Sequence, residues 1–414
     1  MVVGEWSWAA VKVVTVAGEV VEGQTVTFEA GGGVVLNTAT GERRLQPEQL
    51  VVVQFAPAVA AGGFRPEVFL TTGEVVSGAV RELSADSATV HSRLLGDLSL
   101  ARGEVGAMLF VEGAGLGDLL ASPVGLVVLR NGDRLQGRGE GIHGGVAALA
   151  TDLGKLDVSL DRIAFIKMAE FPPSWLKVEQ PCIALVLTDG ERLLGEVLGE
   201  ADGKLRFRRL PAAAGRVPAD RRAGASGAPP GAVEAAKPAE LAFPTSSLRE
   251  VRYLGQGVVY LSDLDPAQVE EKPFFDYPLP WQRDLSVGKG RLTLRGQAFD
   301  KGLGVHARCR LTYVLEGKYA RFHALIGVDD EARGKGNCVF EVWADGKQLF
   351  ASGAVTGQDA PRPVDLDVTG ARELVLLVDF GEGGDVGDRG DWADAYLVTA
   401  EALKAAQSQG KGTP

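Results

Sequence analysis

Residues 68–80 read Val-Phe-Leu-Thr-Thr-Gly-Glu-Val-Val-Ser-Gly-Ala-Val. Two short apolar runs flank a Gly-Glu pair, and a second glycine follows five residues after the first. Glycine readily adopts the positive φ of a tight hairpin, and an acidic residue beside it is typical of a polar turn. This stretch therefore predicts two β-strands joined by a tight turn.

The same pattern occurs four times, with its first glycines 55, 59 and 58 residues apart. Later in each unit, two apolar residues five positions apart lead into a final apolar strand. These pairs are Leu45 and Leu50, Leu100 and Val105, Val158 and Ile163, and Phe243 and Leu248. A regular period of this length predicts tandem units, each a meander of about five short strands with the size of a small barrel.

The composition of the whole chain also favours an all-β fold. The 414 residues include 55 glycines and 20 prolines, and most apolar runs alternate or are β-branched, which is typical of short strands and tight turns. Helical periodicity is confined to Pro266–Lys272 and the tail segment Glu401–Gln407. We therefore expect an all-β protein with several domains.

Charge and composition exclude some functions. The net charge of −11 repels phosphate backbones, so nucleic acid is not an expected partner. No stretch of eighteen apolar residues exists, so no membrane span is expected. The first ten residues lack a basic segment followed by an apolar one. We expect an exported protein, periplasmic or extracellular, whose signal peptide is absent from this chain, with a cytoplasmic location left open.

The second half of the chain predicts a two-sheet sandwich. Nine segments read as strands, most of them alternating in polarity, and one of them contains the apolar run Leu374–Val378, as in a central strand. The predicted strands are Arg291–Leu294, Gly304–His306, Arg310–Leu315, Arg321–Val328, Cys338–Ala344, Lys347–Ser352, Val364–Val368, Glu373–Phe380 and Trp392–Leu397. A bridge between Cys309 and Cys338 is an open alternative to two buried thiols.

Six sequence blocks in this half resemble the NPCBM family of carbohydrate-binding modules over about residues 273–399. The blocks, in the family's order, are Asp300–Ala307, Leu311–Tyr313 with Phe322, Gly327–Glu331, Val339–Gly346, Asp359–Pro361 with Val364–Val368, and Asp391–Ala395. The resemblance implies a jelly-roll sandwich of the galactose-binding-like type and an accessory module for galactose-type sugars. One departure is Asp388-Arg389-Gly390, where the family has Asp-His-Ala.

The first half carries a second resemblance. The spacing of apolar residues and glycines over Val68–Val80 is similar to the first half of Sm-like and SH3-like small barrels. The basic signature with which Sm proteins bind RNA has no clear counterpart here. Together with the C-terminal module and the segment Tyr260–Leu264, the repeats look like parts of large exported proteins of planctomycete-type bacteria.

These observations predict a modular organisation. Repeats 1 to 3 cover residues 1–57, 66–112 and 124–169, and repeat 4 covers 181–255. A disordered insertion at 211–240 is expected inside repeat 4, because this stretch has almost no large apolar residue. Residues 256–272 form a connector, 273–399 the sandwich, and 400–414 a tail.

Five residues of the sandwich are candidate ligand-binding residues. His306, Trp343 and Trp392 combine polar groups with flat rings that suit a sugar, but each is also a candidate core residue. Asp329 and Asp330 end a strand, where they can shape a ligand loop or close a turn by backbone hydrogen bonds.

Aspartates recur every third position near the end of the sandwich. Asp388, Asp391 and Asp394 are candidate metal ligands, because carboxylate oxygens suit Ca²⁺ and related modules often hold a structural calcium ion near the last strand. A solvated acidic loop is the alternative.

The sequence does not favour catalysis, because no nucleotide-binding, zinc or nucleophile motif occurs in its required context. We expect a non-catalytic carbohydrate-binding protein with a glycan or polysaccharide as partner and the repeats as a scaffold. The alternatives are a structural or assembly protein that uses both parts for protein contacts, with protein partners bound through the repeats, and a glycan-active enzyme.

Overall fold

The computed structural model describes residues 10–56, 64–112, 116–152, 154–170, 178, 180–210, 240–272, 274, 279–382 and 384–409. Nearly every element in these ranges is an antiparallel β-strand, which confirms the all-β prediction. The two α-helices in this part are α1 (Leu116–Leu120) and α2 (Ala400–Gln409), and α2 includes the predicted helical tail segment. No helix of the described ranges is long and apolar enough to cross a bilayer.

The four repeats contain strands β1 to β22. Repeat 1 has β1 (Val11–Thr15), β2 (Val20–Gly23), β3 (Thr25–Phe28), β4 (Val34–Thr38), β5 (Gly41–Leu45) and β6 (Leu50–Phe55). Repeat 2 has β7 (Glu67–Leu70), β8 (Val75–Ser77), β9 (Ala79–Leu83), β10 (Ser87–Ser92), β11 (Gly96–Ala101) and β12 (Val105–Leu109). Repeat 3 has β13 (Leu126–Leu129), β14 (Arg134–His143), β15 (Val146–Thr151), β16 (Gly154–Ser159) and β17 (Ile163–Lys167). Repeat 4 has β18 (Cys182–Leu187), β19 (Arg192–Ala201), β20 (Lys204–Arg209), β21 (Glu240–Pro244) and β22 (Leu248–Leu254).

The predicted turns occur in all four repeats. The turn glycines Gly18, Gly73, Gly132 and Gly190 have φ values of 78°, 90°, 92° and 92°, as a tight hairpin requires. Each later pair of apolar residues flanks a 3₁₀ turn, namely Pro47–Gln49, Arg102–Glu104, Leu160–Arg162 and Thr245–Ser247. The predicted insertion at 211–240 lies outside the described residues except for Glu240, the first residue of β21.

The repeats are joined by hydrogen bonds between their last strands. Within each repeat, the first strand pairs with the second and with the last. Between repeats, β6 of repeat 1 pairs with β22 of repeat 4, and β12 of repeat 2 pairs with β17 of repeat 3. β12 and β17 are buried along their whole length, because their apolar residues face neighbours on both sides. These pairings join 19 strands of the repeats into one continuous sheet, and β3, β4 and β5 form a separate sheet. No barrel closes in the described residues, and the resemblance to Sm-like barrels stays a prediction.

Two turn carboxylates are buried between repeats 2 and 4, where β8 pairs with β19. Glu74 accepts two hydrogen bonds from the guanidinium of Arg209, at 3.0 and 2.8 Å. Its counterpart Glu191 has no arginine partner among the described residues and lies beside Asp189. Burial and the Asp189 carboxylate raise the pKa of Glu191 to about 8. The two related turns therefore differ in how their buried acid is stabilised.

The sandwich contains all nine predicted strands, and eight of them lie in two sheets, while the predicted strand Arg291–Leu294 lies outside both sheets. The strands of the sandwich are β23 (Val258–Tyr260), β24 (Gln268–Glu271), β25 (Gln282–Arg283), β26 (Leu292–Leu294), β27 (Gln297–Phe299), β28 (Gly302–His306), β29 (Cys309–Val314), β30 (Tyr319–Val328), β31 (Asn337–Ala344), β32 (Lys347–Thr356), β33 (Arg362–Asp367), β34 (Glu373–Phe380) and β35 (Arg389–Thr399). The first sheet has the order β25-β28-β35-β30-β33, with β23 also pairing with β35, and the second has the order β24-β29-β34-β31-β32. β26 and β27 form a separate hairpin.

The predicted connector is part of the sandwich. β23 extends one sheet by pairing with β35, and β24 extends the other by pairing with β29. The segment Pro266–Lys272, predicted to be helical, therefore contains an edge strand. Cys309 and Cys338 are buried and free, because β29 and β31 lie on opposite sides of β34.

Buried ion pairs join the sandwich to the repeats. Arg252 of β22 donates to Asp394 of β35 at 2.6 Å and to Glu250 at 2.6 Å. Arg192 of β19 donates to Asp300 at 2.9 Å. Burial lowers the pKa of Arg252, but Asp394 and Glu250 raise it more, so the guanidinium stays charged. Charged contacts that solvent does not reach therefore help to hold the sandwich against the repeats.

Candidate functional site

The ends of three strands meet at one edge of the first sandwich sheet. β28 ends at His306, which pairs with Arg389 at the start of β35, and β30 ends at Val328, which pairs with Gly390. The 3₁₀ turn Asp330–Ala332 follows β30 directly. This turn and the loop before β35 therefore lie at the same edge as His306.

A cavity of about 400 Å³ opens at this edge. Sites for small molecules have volumes of roughly 300–1,000 Å³ and combine apolar walls with a few polar groups. The lining residues are Leu279, His306, Glu331, Ala332, Arg333, Lys335, Asp385, Val386, Gly387 and Arg389. The cavity therefore has the volume and the mixed lining of a small-ligand site.

Glu331 is held on the cavity wall by three groups. Its Oε1 lies 3.2 Å from Nη1 of Arg389 and accepts the backbone N–H of Gly288 at 2.9 Å, and its Oε2 accepts the hydroxyl of Ser286 at 2.8 Å. A guanidinium has five N–H donors. Glu331 therefore positions Arg389 while leaving donors of that guanidinium for a ligand.

His306 is half-buried in the cavity. Burial lowers its pKa, and Arg389 acts in the same direction, while the carboxylate of Asp385 opposes both effects. The imidazole is therefore neutral at pH 7 and offers one donor and one acceptor. Either ring nitrogen can therefore bond to a sugar hydroxyl, one of them as donor and the other as acceptor.

An apolar surface borders the cavity. The side chain of Asp385 accepts the backbone N–H of Phe274 at 3.0 Å, which places this ring next to the lining. Phe274 is 60% exposed and packs edge to face on Phe380, with 5.9 Å between the ring centroids. Val386, in the lining, is 67% exposed. The rim therefore offers apolar area beside the polar groups.

Asp329 and Asp330 support this edge without lining the cavity. Asp329 accepts the backbone N–H groups of Glu331 at 2.8 Å and Thr293 at 2.9 Å. Asp330 accepts two backbone N–H groups of residues 295–296, at 3.0 and 2.7 Å. Both therefore close turns by backbone hydrogen bonds and hold the loop that carries Glu331.

The two candidate tryptophans lie away from the cavity. Trp392 is 1% exposed and packs against Phe340 with 5.1 Å between ring centroids, so it is a core residue. Trp343 is half-buried on β31, and its Nε1 donates to Glu341 at 2.8 Å. Of the five ligand candidates, only His306 lines the cavity.

The three aspartates predicted to hold calcium do not form a common site. Within the described ranges, no group of three or more acidic, histidine or cysteine side chains is arranged to hold a metal ion. Both oxygens of Asp394 are bound by Arg252, at 2.6 and 3.2 Å. Because one of the three already has a cationic partner, the set does not fit a shared calcium ion.

Asp388 and Asp391 are buried carboxylates with unsatisfied oxygens. Both oxygens of Asp391 and Oδ2 of Asp388 lack a hydrogen-bond donor. Burial raises the pKa of Asp391 well above its usual range, with a further contribution from Asp329, and burial raises the pKa of Asp388 to about 6. A protonated Asp391 can donate to Asp329, which would satisfy the pair without a metal.

Several lining residues were not candidates from the sequence. Arg333 and Lys335 lie in the glycine-rich loop between two predicted strands. Arg389 lies in Asp388-Arg389-Gly390, where this chain departs from the Asp-His-Ala of the family. Loops have no periodicity from which the direction of a side chain can be predicted. The available signal was the alternation of cations and glycines in Arg333-Gly334-Lys335-Gly336, which begins five residues after the strand that ends at Val328.

The family comparison identifies the domain that carries this cavity. Residues 257–398 match the model of the NPCBM/NEW2 domain. The match begins before β23 and ends inside β35, so it includes both sheets and the predicted connector. Residues 257–398 therefore form an NPCBM domain, a carbohydrate-binding module of the β-sandwich type.

Two curated relatives align with part of the chain. A Renibacterium salmoninarum protein named as an endo-alpha-N-acetylgalactosaminidase is 34% identical over 107 residues, 26% of this chain. Alpha-1,3-galactosidase B of Akkermansia muciniphila is 28% identical over 120 residues, 28% of this chain. The aligned parts are 7% and 15% of those proteins, so the chain spans a small share of each.

Solved structures of CBM51 modules are also similar. The CBM51 module of Clostridium perfringens GH95, solved with methyl-galactose, is 33% identical, with a TM-score of 0.32, over 34% of this chain and 99% of that one. The tandem CBM51 modules of a Streptococcus pneumoniae family 98 glycoside hydrolase are 13% identical, with a TM-score of 0.31. The alignment covers 94% of this chain and 88% of that one.

Proposed function

We propose that this chain is a non-catalytic glycan-binding protein whose NPCBM domain binds galactose-type sugars in the cavity beside His306. The observation that carries the proposal is that three strand ends place His306, Arg389 and Glu331 around one cavity of about 400 Å³. The names of both curated relatives include an activity on galactose-type sugars, which supports the choice of sugar.

The roles of the lining residues follow from their chemistry. Neutral His306 forms a hydrogen bond with one sugar hydroxyl through a ring nitrogen, and Arg389 donates to another hydroxyl from a position fixed by Glu331. The Phe274 ring beside Asp385 offers a flat apolar surface to one face of the pyranose. The repeats serve as the scaffold that carries the domain. The protein acts outside the cytoplasm, where polymeric glycans occur.

The experiment is an NMR or calorimetric titration of the full chain with galactose, N-acetylgalactosamine and fucose. We expect a Kd on the order of 0.1 to 1 mM, equivalent to about −4 to −5.5 kcal/mol. His306→Ala and Arg389→Ala should each weaken binding. Trp343→Ala is the matched control, because it removes a sandwich side chain that does not line the cavity. Absence of binding to these sugars and to mixed glycans would contradict the proposal and favour the protein-contact alternative.

A further inference from the structure

The cavity carries an unusual share of positive charge for this protein. Arg333 and Lys335 both line it and are exposed. Neither forms an ion pair or a side-chain hydrogen bond in the part of the chain that the structure describes. Arg389 adds a third cation. A cationic cavity in a chain of net charge −11 is a local feature that the overall composition does not explain.

Among the described residues, neither acidic side chain of the lining forms an ion pair with these two cations. Glu331 is already bound by Arg389, Ser286 and Gly288. Asp385 accepts the backbone N–H of Phe274. Both carboxylates are thus committed to holding the walls of the cavity. Arg333 and Lys335 are left to interact with solvent or with a ligand.

Backbone hydrogen bonds hold the loop from which the side chains of Arg333 and Lys335 extend. Arg333 has φ 54° at the end of the 3₁₀ turn, and its N–H bonds the carbonyl of Asp330 at 2.9 Å. The next turn is closed by the N–H of Lys335 and the carbonyl of Ala332, at 3.1 Å. A Cβ on Gly387 would lie 3.2 Å from the Cβ of Lys335, so this loop packs against the opposite wall.

We propose that this cavity selects sugars that carry an anionic substituent, a sulfate ester or a carboxylate, over their neutral counterparts. The inference rests on the proposed function and deepens it. Arg333 and Lys335 contact the anion, while His306 and Arg389 contact ring hydroxyls. Hydrogen bonds between ionised partners are roughly twice as strong as neutral ones, so an anionic sugar gains contacts that a neutral sugar lacks.

The test compares galactose, galactose 6-sulfate and galacturonic acid by calorimetry on the full chain at low salt. We expect at least one anionic sugar to bind about tenfold more tightly than galactose, as two exposed charge-assisted contacts allow. This preference should shrink in 0.5 M salt, where the Debye length falls to roughly 4 Å. The two anionic probes distinguish a sulfate from a carboxylate site.

The variant for the test is Arg333→Asn with Lys335→Gln. Asn tolerates the left-handed conformation at position 333, so the loop should keep its shape. We expect the anionic preference to fall to within about twofold while galactose binds as before. Lys347→Gln is the matched control, because Lys347 is exposed at the start of β32, where it pairs with Ala344 at the far end of β31, roughly 23 Å along that strand.

Equal affinity of the unmodified chain for galactose and both anionic sugars would overturn the inference and leave the proposed function standing. An unchanged preference in the double variant would also overturn the assignment to Arg333 and Lys335. Failure of all three sugars to bind would instead overturn the proposed function. The salt series needs no variant, so it decides the matter even if the double variant fails to fold.

Discussion

Replacing Asp394 by Asn removes one of the two carboxylates that hold Arg252 between the repeats and the sandwich. The Arg252 side chain is 2% exposed, and Asp394 binds two of its nitrogens, at 2.6 and 3.2 Å. Asp394 has φ 49°, a conformation that Asn tolerates and Ala does not. Asp394→Asn therefore removes the charge with little strain in the backbone.

The magnitude follows from burial. Leaving a buried charge without its partner costs roughly 3–5 kcal/mol. Here Glu250 remains at 2.6 Å, and the Asn carbonyl can still accept one hydrogen bond, so we expect a loss of about 2–3 kcal/mol. At a urea slope of about 2–3 kcal/mol per M, the unfolding midpoint should fall by about 1 M.

The assay is urea unfolding of the full chain, followed by tryptophan fluorescence, in calcium and again in a chelator. If Arg252 is the partner of Asp394, the loss should be the same in both conditions. If Asp394 instead holds calcium, as the sequence predicts, the loss should appear only with calcium present. Asp265→Asn is the control, because this carboxylate also binds an arginine at 2.7 Å but is 98% exposed.

The outcome that would refute the reasoning is a midpoint that does not move in either condition. Such a result would mean that Glu250 alone, or water, satisfies Arg252. A second measurement is the double variant of Asp394→Asn with Arg252→Met. The pair of changes should cost less than the sum of the single changes, because the methionine leaves no buried charge to satisfy.

Three further predictions concern other buried or rim residues. The pKa of Glu191 is raised to about 8, so its stabilising effect is complete below about pH 4.5 and is lost as the pH rises through 8. Urea unfolding should therefore be easier at pH 9 than at pH 5, and Glu191→Gln should reduce this loss of stability between the two pH values. Glu74→Gln is the comparison, because it breaks the pair with Arg209 and should destabilise the protein at both pH values. Trp392→Ala should cost about 3–5 kcal/mol by calorimetric melting, and an equally small loss for Trp392→Ala and Trp343→Ala would contradict the core assignment. Phe274→Ala should weaken sugar binding by about 0.5–1.5 kcal/mol in titrations without lowering the melting temperature, and unchanged affinity would exclude this ring from the site.

The strands and turns were predictable because they depend on local patterns. Most of the nine sandwich segments alternate with the period of a strand, and the four turn glycines require positive φ. Pro266–Lys272 was predicted wrongly, since Gln, Glu and Lys favour a helix in isolation. There the pairing of β24 with β29 overrides that preference, because an edge strand gains hydrogen bonds that a short helix lacks.

The site was less predictable because it depends on long-range pairing. His306 and Arg389 are 83 residues apart in sequence and become neighbours only because β28 pairs with β35. The regular spacing of the aspartates suggested a shared metal loop, but Asp394 of the sandwich binds Arg252 of repeat 4. The joining of repeats through β6 with β22 is another nonlocal feature, although the apolar run Leu50–Val53 of β6 was a signal of burial on both faces.

Strand β35 also determines how the protein would respond to mechanical force. It begins at Arg389 in the cavity, contains Asp394 at the contact with the repeats, and continues directly into α2. β28 and β23 bond to one of its edges and β30 to the other. A pull between a bound glycan and the repeats acts along this strand and shears these hydrogen bonds together, since ladder bonds lie across the strand direction. Rupture of the domain then requires many bonds to break at once, so a tethered glycan should detach from the cavity before the sandwich unfolds.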